Sequence, residues 1–368
     1  MKILYIISGL ELGGAEKQVV DMCEQLALMG HDIQILSMMG DVELRPKNND
    51  IKIHALDMRK NPVSLLRSLF VSVNIIRRFS PDVLHGHLFH GNIYSRILKL
   101  FFPSKPLINT EHSKYIGGGT RHKIYKFTNF NVNVFTNVSS EALKNFTNMK
   151  TFPFDKSVCV YNGINSERYV FSESDRKQVR AKYDVADDEY LFLAVGRLVK
   201  AKDFSNLLDA FEEVSKSIRC KLIIIGEGEE KDFLLKEIER LNLTGKALLL
   251  GAKSNVEKYL SAADTFVLSS AWEGFGLVVA EAMCCKRIVV ATDAGGVREV
   301  IGHPEFIVPI RDSKQLALKM RDSVLIDEID RKKITELGYQ RIISTFDITK
   351  VCQVWEDMYA NLTVDKSK

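Results

Sequence analysis

Two glutamates eight residues apart, with glycines beside the first, are the feature of this sequence with the clearest chemical use. They lie in Ser269-Ser270-Ala271-Trp272-Glu273-Gly274-Phe275-Gly276-Leu277-Val278-Val279-Ala280-Glu281-Ala282-Met283. A strand is expected to end near Ser269 and a helix to start near Gly276. The amides of Phe275, Gly276 and Leu277 would then stand unpaired at a helix start, where they and the helix dipole attract an anion. Glu281 interrupts an apolar run, and a buried acid needs partners. A ribose diol would supply two hydroxyl donors. Glu273 precedes the helix and can accept hydroxyls of a sugar lying against phosphates. The plain alternative is an exposed helix with two unrelated acids; the apolar flanks count against it more for Glu281 than for Glu273.

Other loops that follow strands carry matching groups. Val195-Gly196-Arg197-Leu198-Val199-Lys200-Ala201-Lys202 opens the second half of the chain. Arg197 offers a planar fork and Lys202 a mobile point charge, a pair able to clamp a diphosphate; a solvated basic turn is the alternative. Gly226-Glu227-Gly228 follows another strand and could touch phosphate or base, though turn chemistry accounts for it nearly as well. Near the N-terminus, Gly9-Leu10-Glu11-Leu12-Gly13-Gly14-Ala15-Glu16 joins a strand to a helix, where glycines allow close backbone approach to a phosphate. It is neither a dinucleotide fingerprint nor a P-loop, because Gly-x-Gly-x-x-Gly and Gly-Lys-Ser/Thr are absent.

Six of the eight histidines fall between His54 and His122. His85 and His87 follow the alternation of a strand and share a face. His112 lies in Thr110-Glu111-His112-Ser113, after the next strand. A metal site is weakly supported, since no Asp or Cys completes a ligand set nearby. His87 or His112 can instead bind substrate or act as acid or base. A structural role stands level with a functional one for each alone; two after adjacent strands favour function.

The elements that must position these residues alternate throughout. Strands are expected at Ile3–Ser8, Asp32–Ser37, Ile51–Ala55, Val83–Gly86, Leu107–Thr110, Val132–Thr136 and Val158–Tyr161. A second set is expected at Tyr190–Val195, Lys221–Ile225, Ala247–Leu250, Thr265–Leu268, Arg287–Ala291 and Phe306–Val308. Amphipathic stretches such as Glu16–Leu28, Val63–Phe79, Phe204–Val214 and Lys231–Leu241 separate them. Apolar strands alternating with helices mean parallel sheets covered on both faces. The pattern breaks at Asn165–Glu189, where Ser172-Glu173-Ser174-Asp175 reads as a helix cap. Two doubly wound, Rossmann-like domains follow, 1–165 and 166–345, facing a central cleft at the carboxyl ends of their strands. After Pro309 only helices are expected, at Gln315–Leu325, Ile334–Ser344 and Ile348–Leu362. The segment 346–368 is expected to pack back across the domain junction.

Composition agrees with this. At about 150 residues per domain, 368 residues suggest two domains. The chain is 46% hydrophobic and 27% charged, which excludes a disordered scaffold. No apolar run has membrane-spanning length, and the first seven residues read as a strand, not a signal peptide. Six cysteines without Cys-x-x-Cys or zinc spacing fit a reducing cytosol. The net charge of +4 hides an uneven spread, because Arg45–Lys126 holds fifteen Lys/Arg against four acids. Such a basic region suits an anionic partner: phosphate, nucleic acid or a membrane surface.

The ordered set of motifs resembles the family 4 retaining glycosyltransferases of GT-B fold, of bacterial surface-polysaccharide type. The Glu273-x7-Glu281 element carries the resemblance. Gly13-Gly14-Ala15-Glu16, His85-x-His87, His112, Asn162-Gly163-Ile164, Arg197, Lys202 and Ala294-Gly295-Gly296-Val297-Arg298-Glu299 fall where the family places its motifs, so that it spans Met1 to Glu299. It implies transfer of a sugar from a nucleoside diphosphate donor, UDP by analogy with bacterial relatives, with retention at the anomeric carbon. Arg197 and Lys202 would bind the diphosphate and stabilise its departure. Glu281 would bind the ribose, and Glu273 with the Phe275–Leu277 amides the donor sugar and phosphate. Gly13 and Gly14 would contact the diphosphate, and His112 the transferred sugar near the reacting carbon. His87 would add a substrate contact, and Gly226, from its place after a strand, is a further candidate. The family needs no divalent metal or other cofactor, and no Asp-x-Asp occurs in this chain.

In that family the N-terminal half holds the acceptor, here expected to be a glycan or a polyprenyl-diphosphate-linked sugar. Val63–Phe70 with Arg77-Arg78, Leu100-Phe101-Phe102-Pro103 beside Lys99 and Lys105, and His122–Phe127 mix basic and apolar residues. They suggest a cytoplasmic enzyme held peripherally on the anionic inner face of the plasma membrane. Aromatics in the core with merely solvated cations is the level alternative. An epimerase acting on sugar nucleotides, a nicotinamide dehydrogenase and a basic nucleic-acid-binding module remain as other readings. The missing dinucleotide fingerprint weighs against the second. Acids in the best motif weigh against the third, and no nucleic-acid partner is expected.

Overall fold

Runs of aliphatic residues too short for a helix settle as strands when helices cover both faces. The computed structural model describes residues 1–364 and contains every strand expected from those runs. The chain divides into two units. One comprises Met1–Gly163 and the segment from Ile348 onward, the other Ile164–Asp347.

The first unit is built from β1 (Lys2–Ile7), α1 (Gly14–Leu28), β2 (Asp32–Ser37), β3 (Lys52–Ala55), α2 (Pro62–Phe79), β4 (Val83–His87) and α3 (Leu88–Phe101). It continues with β5 (Leu107–Glu111), α4 (Gly119–Thr128), β6 (Val134–Asn137), α5 (Ser140–Asn148) and β7 (Ser157–Cys159). The sheet is parallel, in the order β3-β2-β1-β4-β5-β6-β7. The central strand β1 is almost wholly buried, with Ile3, Leu4, Tyr5, Ile6 and Ile7 at 0% exposure. Leu4 and Ile6 pack with Ile76, Tyr94, Tyr125 and Phe146 of α2–α5. Ile3, Tyr5 and Ile7 face the other way, into Val19, Cys23 and Leu26 of α1.

The second unit contains α6 (Glu173–Lys182), β8 (Tyr190–Val195), α7 (Phe204–Ser215), β9 (Cys220–Ile225), α8 (Lys231–Arg240), β10 (Ala247–Leu249), α9 (Val256–Ala262) and β11 (Thr265–Leu268). Then come α10 (Leu277–Cys284), β12 (Ile288–Thr292), α11 (Val297–Ile301), β13 (Ile307–Val308), α12 (Ser313–Leu325) and α13 (Glu328–Arg341). Its sheet is also parallel, in the order β10-β9-β8-β11-β12-β13. Ser172 caps α6 as its sequence suggests, its side chain accepting from the Asp175 amide.

A π-helical turn, Ile342–Phe346, ends this unit, and α14 (Ile348–Val364) returns to the first. Its Trp355 and Tyr359 lie in the core that β1 and α1 share. The helix expected from Ile334 starts six residues earlier. Asp327 caps it by accepting from the Asp330 amide, and its first turns carry too few apolar residues to show a period. Among the described residues no helix is long and apolar enough to cross a membrane.

Each sheet reverses its strand order once, between β1 and β4 and between β8 and β11. Open parallel sheets bind ligands outside the carboxyl ends of their strands at such points. Gly13-Gly14, Arg197–Lys202 and Glu273 follow β1, β8 and β11, His85 and His87 lie at the end of β4, and His112 and Gly226 follow the adjoining strands β5 and β9.

Candidate functional site

In the second unit the loops after β8, β9, β11 and β12 meet. Gly196 donates its amide to the Ile225 carbonyl at 3.0 Å, and Leu198 to the Glu227 carbonyl at 2.8 Å. A Cβ on Gly226 would lie 1.9 Å from the Gly196 carbonyl oxygen, and one on Gly228 2.4 Å from that of Leu198. Only glycine allows backbone to approach backbone this closely. The Ala271 amide then donates to the Ala201 carbonyl at 2.9 Å, and Ser269 Oγ to the Lys202 carbonyl at 2.8 Å. Thr292 Oγ1, at the end of β12, donates to the Ser270 carbonyl at 2.6 Å.

This frame brings Lys202 and Glu273 together across 71 residues of sequence, Nζ to Oε1 at 2.5 Å. Their side chains are 19% and 12% exposed. Ser270 Oγ donates to the same carboxylate oxygen at 2.7 Å. Gly276 takes φ 91°, ψ 51° and sets the entry to α10. Gly295 takes φ 63°, and a Cβ there would lie 2.2 Å from the Glu273 carbonyl oxygen. Phe275 is buried with its ring edge-on to Phe346 at 5.4 Å. Its side chain therefore anchors the loop, leaving Leu277 at the first turn of α10. Glu281, midway along α10, is 4% exposed. Arg197 is exposed, and among the described residues no carboxylate pairs with it. Of the loop's cations, Lys202 is engaged by a carboxylate, whereas Arg197 and Lys200 are exposed.

In the first unit, Gly13 caps α1 in an extended conformation and Gly14 begins it. A Cβ on Gly13 would strike the Glu16 carboxylate, 2.1 Å from Oε2. Strand register sets His87 beside Ile7 on one flank and Thr110 on the other. β4 runs directly into α3, and Leu88 takes φ 62°, a costly conformation for a branched residue. His85 and His87 do share a face, with ring centroids 4.1 Å apart. Both nitrogens of His85 are engaged, Nδ1 with the Tyr359 hydroxyl at 2.8 Å and Nε2 with Thr110 Oγ1 at 2.7 Å. Among the described residues no three His, Cys, Asp or Glu side chains are grouped to hold a metal ion.

His87 was expected to contact substrate, and the structure places it inside the first unit. It is 0% exposed, because the strand continues through it, and its Nδ1 meets Nε2 of His112 at 3.0 Å. Any influence on a ligand passes through His112, which keeps some exposed surface beyond the end of β5. Burial holds His85 and His87 well below the ordinary imidazole pKa, and pushes His112 down to about 4. All three are neutral at neutral pH.

Three participants escaped the sequence reading. Glu111, beside His112, is buried, accepts from Asn92 Nδ2 at 3.1 Å and from the Tyr125 hydroxyl, and is pushed up by burial to about 7. An acid next to a histidine was visible in the sequence; its enclosure by α3 and α4 was not. Tyr359 lies 274 residues from His85 and carries no local signal. Ser270 stood inside the quoted motif without a role.

Comparison with known proteins gives a consistent picture. A profile described as "Glycosyltransferase Family 4" matches residues 12–168, and one described as "Glycosyl transferases group 1" matches residues 175–341. N-acetyl-alpha-D-glucosaminyl L-malate synthase of Bacillus anthracis is 23% identical over 367 residues, covering 96% of this chain and 95% of that protein. The N-acetylgalactosamine-N,N'-diacetylbacillosaminyl-diphospho-undecaprenol 4-alpha-N-acetylgalactosaminyltransferase of Campylobacter jejuni is 28% identical over 382 residues, covering 96% and 97%. The crystal structure of Anabaena Alr3699/HepE in complex with UDP superposes with a TM-score of 0.84 at 20% identity, over 98% of this chain and 100% of that one.

Proposed function

The chain belongs to the family 4 glycosyltransferases of GT-B fold, and from that premise we propose that it is a retaining enzyme using a UDP-sugar. The acceptor is a glycan or a polyprenyl-diphosphate-linked sugar, and the pathway is synthesis of a bacterial surface polysaccharide such as O-antigen or capsule. The observation that carries this reading is the Lys202–Glu273 pair, at the point where the second sheet reverses and ahead of the α10 start. The relatives support it. One solved neighbour is a UDP complex, and the Campylobacter enzyme is named for a diphospho-undecaprenol acceptor.

A diphosphate arriving at this loop competes with Glu273 for Lys202. It takes Lys202 and Arg197 as counter-charges and the amides of Phe275, Gly276 and Leu277 as donors, while Gly226 keeps the loops close. Glu273, released from Lys202 but still held by Ser270, accepts sugar hydroxyls, and Glu281 accepts the ribose diol. As the bond from the anomeric carbon to the diphosphate breaks, negative charge grows on the phosphate. Preorganised cations and amides stabilise that charge, so we assign the reaction no divalent metal. The acceptor oxygen bonds the anomeric carbon on the face the diphosphate leaves, and its proton passes to the departing phosphate oxygen. In the first unit we keep Gly13, Gly14 and His112 as proposed substrate contacts.

The first unit carries the acceptor side and rests on an anionic membrane surface. Val63, Leu66 and Phe70 on α2 are 77%, 66% and 70% exposed, and Phe127 on α4 is 83% exposed. Core packing therefore does not account for them, and Arg67, Lys123 and Lys126 are interleaved with them in sequence.

The test is thermal stability of the purified protein with UDP, GDP, ADP and NAD, for the wild type and Glu281→Ala. A ligand at a hundred times its dissociation constant stabilises by about 2.7 kcal/mol. UDP should raise the melting temperature of the wild type and not of Glu281→Ala; a response to GDP alone would overturn the donor assignment. A response to NAD and to no diphosphate would overturn the transferase site.

A further inference from the structure

The amino end of the second sheet, opposite the Lys202–Glu273 loops, holds a cavity of about 300 Å³. β12 spans the distance between them. Arg287 and Val289, at its start, line the cavity; Thr292, at its end, bonds the Ser270 carbonyl. Met283 of α10, Phe306 ahead of β13, and Ile334 and Leu337 of α13 supply further apolar wall.

We propose that this cavity is a second ligand site of the unit, for a small organic acid. The apolar body has about ten non-hydrogen atoms, since a water takes about 30 Å³. It seats against Met283, Phe306 and Ile334, and its carboxylate pairs with Arg287.

Three observations carry this. The first is Gly338, in the cavity wall and inside α13. A Cβ there would meet only Met283, 3.4 Å from Cε, which is an ordinary contact. Packing therefore does not require glycine, although glycine weakens a helix interior relative to alanine. A side chain at 338 would grow from the wall toward Met283, so its absence keeps the space open.

The second is the way Arg287 is held. Its Nε donates to the Cys285 carbonyl at 2.8 Å and its Nη1 to the Ala263 carbonyl at 2.9 Å. The Phe171 ring covers its plane at 4.7 Å. Among the described residues nothing bonds Nη2 and no carboxylate pairs with the group. The guanidinium is thus fixed in place with one donor nitrogen to spare.

The third is charge. Arg176, Arg180 and Arg331 converge on the same turn before β11, on the carbonyls of Ala262, Ala263 and Asp264. The one carboxylate among the described residues that pairs with any of these arginines is Asp264. Arg176 takes it at 2.6 Å and Arg180 at 3.2 Å. Burial, with Arg176 beside it, pulls the Arg287 guanidinium down to about 10. An anion relieves such an excess of enclosed positive charge. Glu305 and Asp330 also line the cavity, as do His303 and Lys333, but all four are exposed. Water screens them, so the half-buried Arg287 decides the sign of the ligand.

The probes for the test share one body: octanoate, 1-octanol and octyltrimethylammonium. In the whole protein with carbon-13 methionine methyls, octanoate should shift the Met283 resonance, assigned from Met283→Leu. Saturating UDP should leave that shift unchanged. Octanoate should bind about tenfold or more tightly than 1-octanol, the worth of a hydrogen bond to a charged group. Octyltrimethylammonium should not bind. No Met283 shift with octanoate overturns the proposal, as does equal binding of the cation. Displacement of octanoate by UDP overturns it too, by putting the ligand in the nucleotide loops. Gly338→Leu should fill the cavity and abolish octanoate binding, with the melting temperature level or raised. Unchanged octanoate affinity in that variant would put the ligand elsewhere, against the proposal. Arg287→Gln should bring octanoate and 1-octanol to the same affinity, and a preference for octanoate that survives it overturns the role of Arg287. If that variant does not fold, the three probes on the wild type still decide.

Discussion

Glu111 is a buried acid whose titration falls near neutral pH. Its folded pKa is pushed up to about 7 by burial, against hydrogen bonds from Tyr125 and Asn92 and the charge of Arg96, which lower it. A raised carboxyl pKa means that the folded state keeps a proton that the unfolded state has released. Its contribution to stability is therefore complete below the ordinary value, 4.5, and is lost as pH rises through about 7. At 1.36 kcal/mol per unit the loss is about 3 kcal/mol. Denaturant unfolding of wild type and Glu111→Gln from pH 4.5 to 8 should show the variant gaining on the wild type with pH, then a constant gap. A gap independent of pH would mean that Glu111 titrates as an exposed acid. Residue types and order in the site were legible, because Arg, Lys, Glu and Gly stand at fixed distances beyond apolar runs. Pairings were not: that Lys202 meets Glu273, or that His87 hides behind His112, depends on loops folding against each other.

Among elements, the turn from β12 to α11 packs directly against the backbone of Glu273. Gly295 has a left-handed φ and no room for a side chain, since the Glu273 carbonyl occupies it. Gly295→Ala should lose about 1–2 kcal/mol from backbone conformation alone. It should also push the Glu273 loop away, weakening UDP about tenfold or more by isothermal titration. Unchanged UDP affinity would separate this turn from the site. Strands such as β1, β8, β9 and β11 were legible because each is an aliphatic run of four to six residues stopped by Gly or Ser, too short for a helix. The start of α13 was illegible for the opposite reason. Exposed on most sides, it needs no apolar stripe, and only the Asp327 cap marks it.

At the scale of the whole molecule, the basic and apolar surface of the first unit predicts lipid preference. The wild type should float with phosphatidylglycerol vesicles and remain behind with phosphatidylcholine. Leu66→Ser combined with Arg67→Glu, both on the outer turns of α2, should abolish flotation without altering thermal stability. Failure of the wild type to float would remove the membrane from the functional reading. The break in the sequence near residue 165 was legible from its composition, within two residues of the division after Gly163. That α14 completes the first core was not. Its evidence is Tyr5 meeting Tyr359 across 354 residues, a separation beyond any periodic pattern.

That return of the chain has a consequence for synthesis. The second unit is one uninterrupted stretch, Ile164–Asp347, inserted into the first, so it can close while it emerges from the ribosome. The first unit begins earlier and is finished later, because Trp355 and Tyr359 are translated only after the inserted unit is complete. At rates of roughly 5–20 residues per second, its core waits about 10–40 seconds with α1 in place but without Trp355 and Tyr359 of α14. A ribosome stalled before α14 would present a folded second unit attached to an unfinished first one.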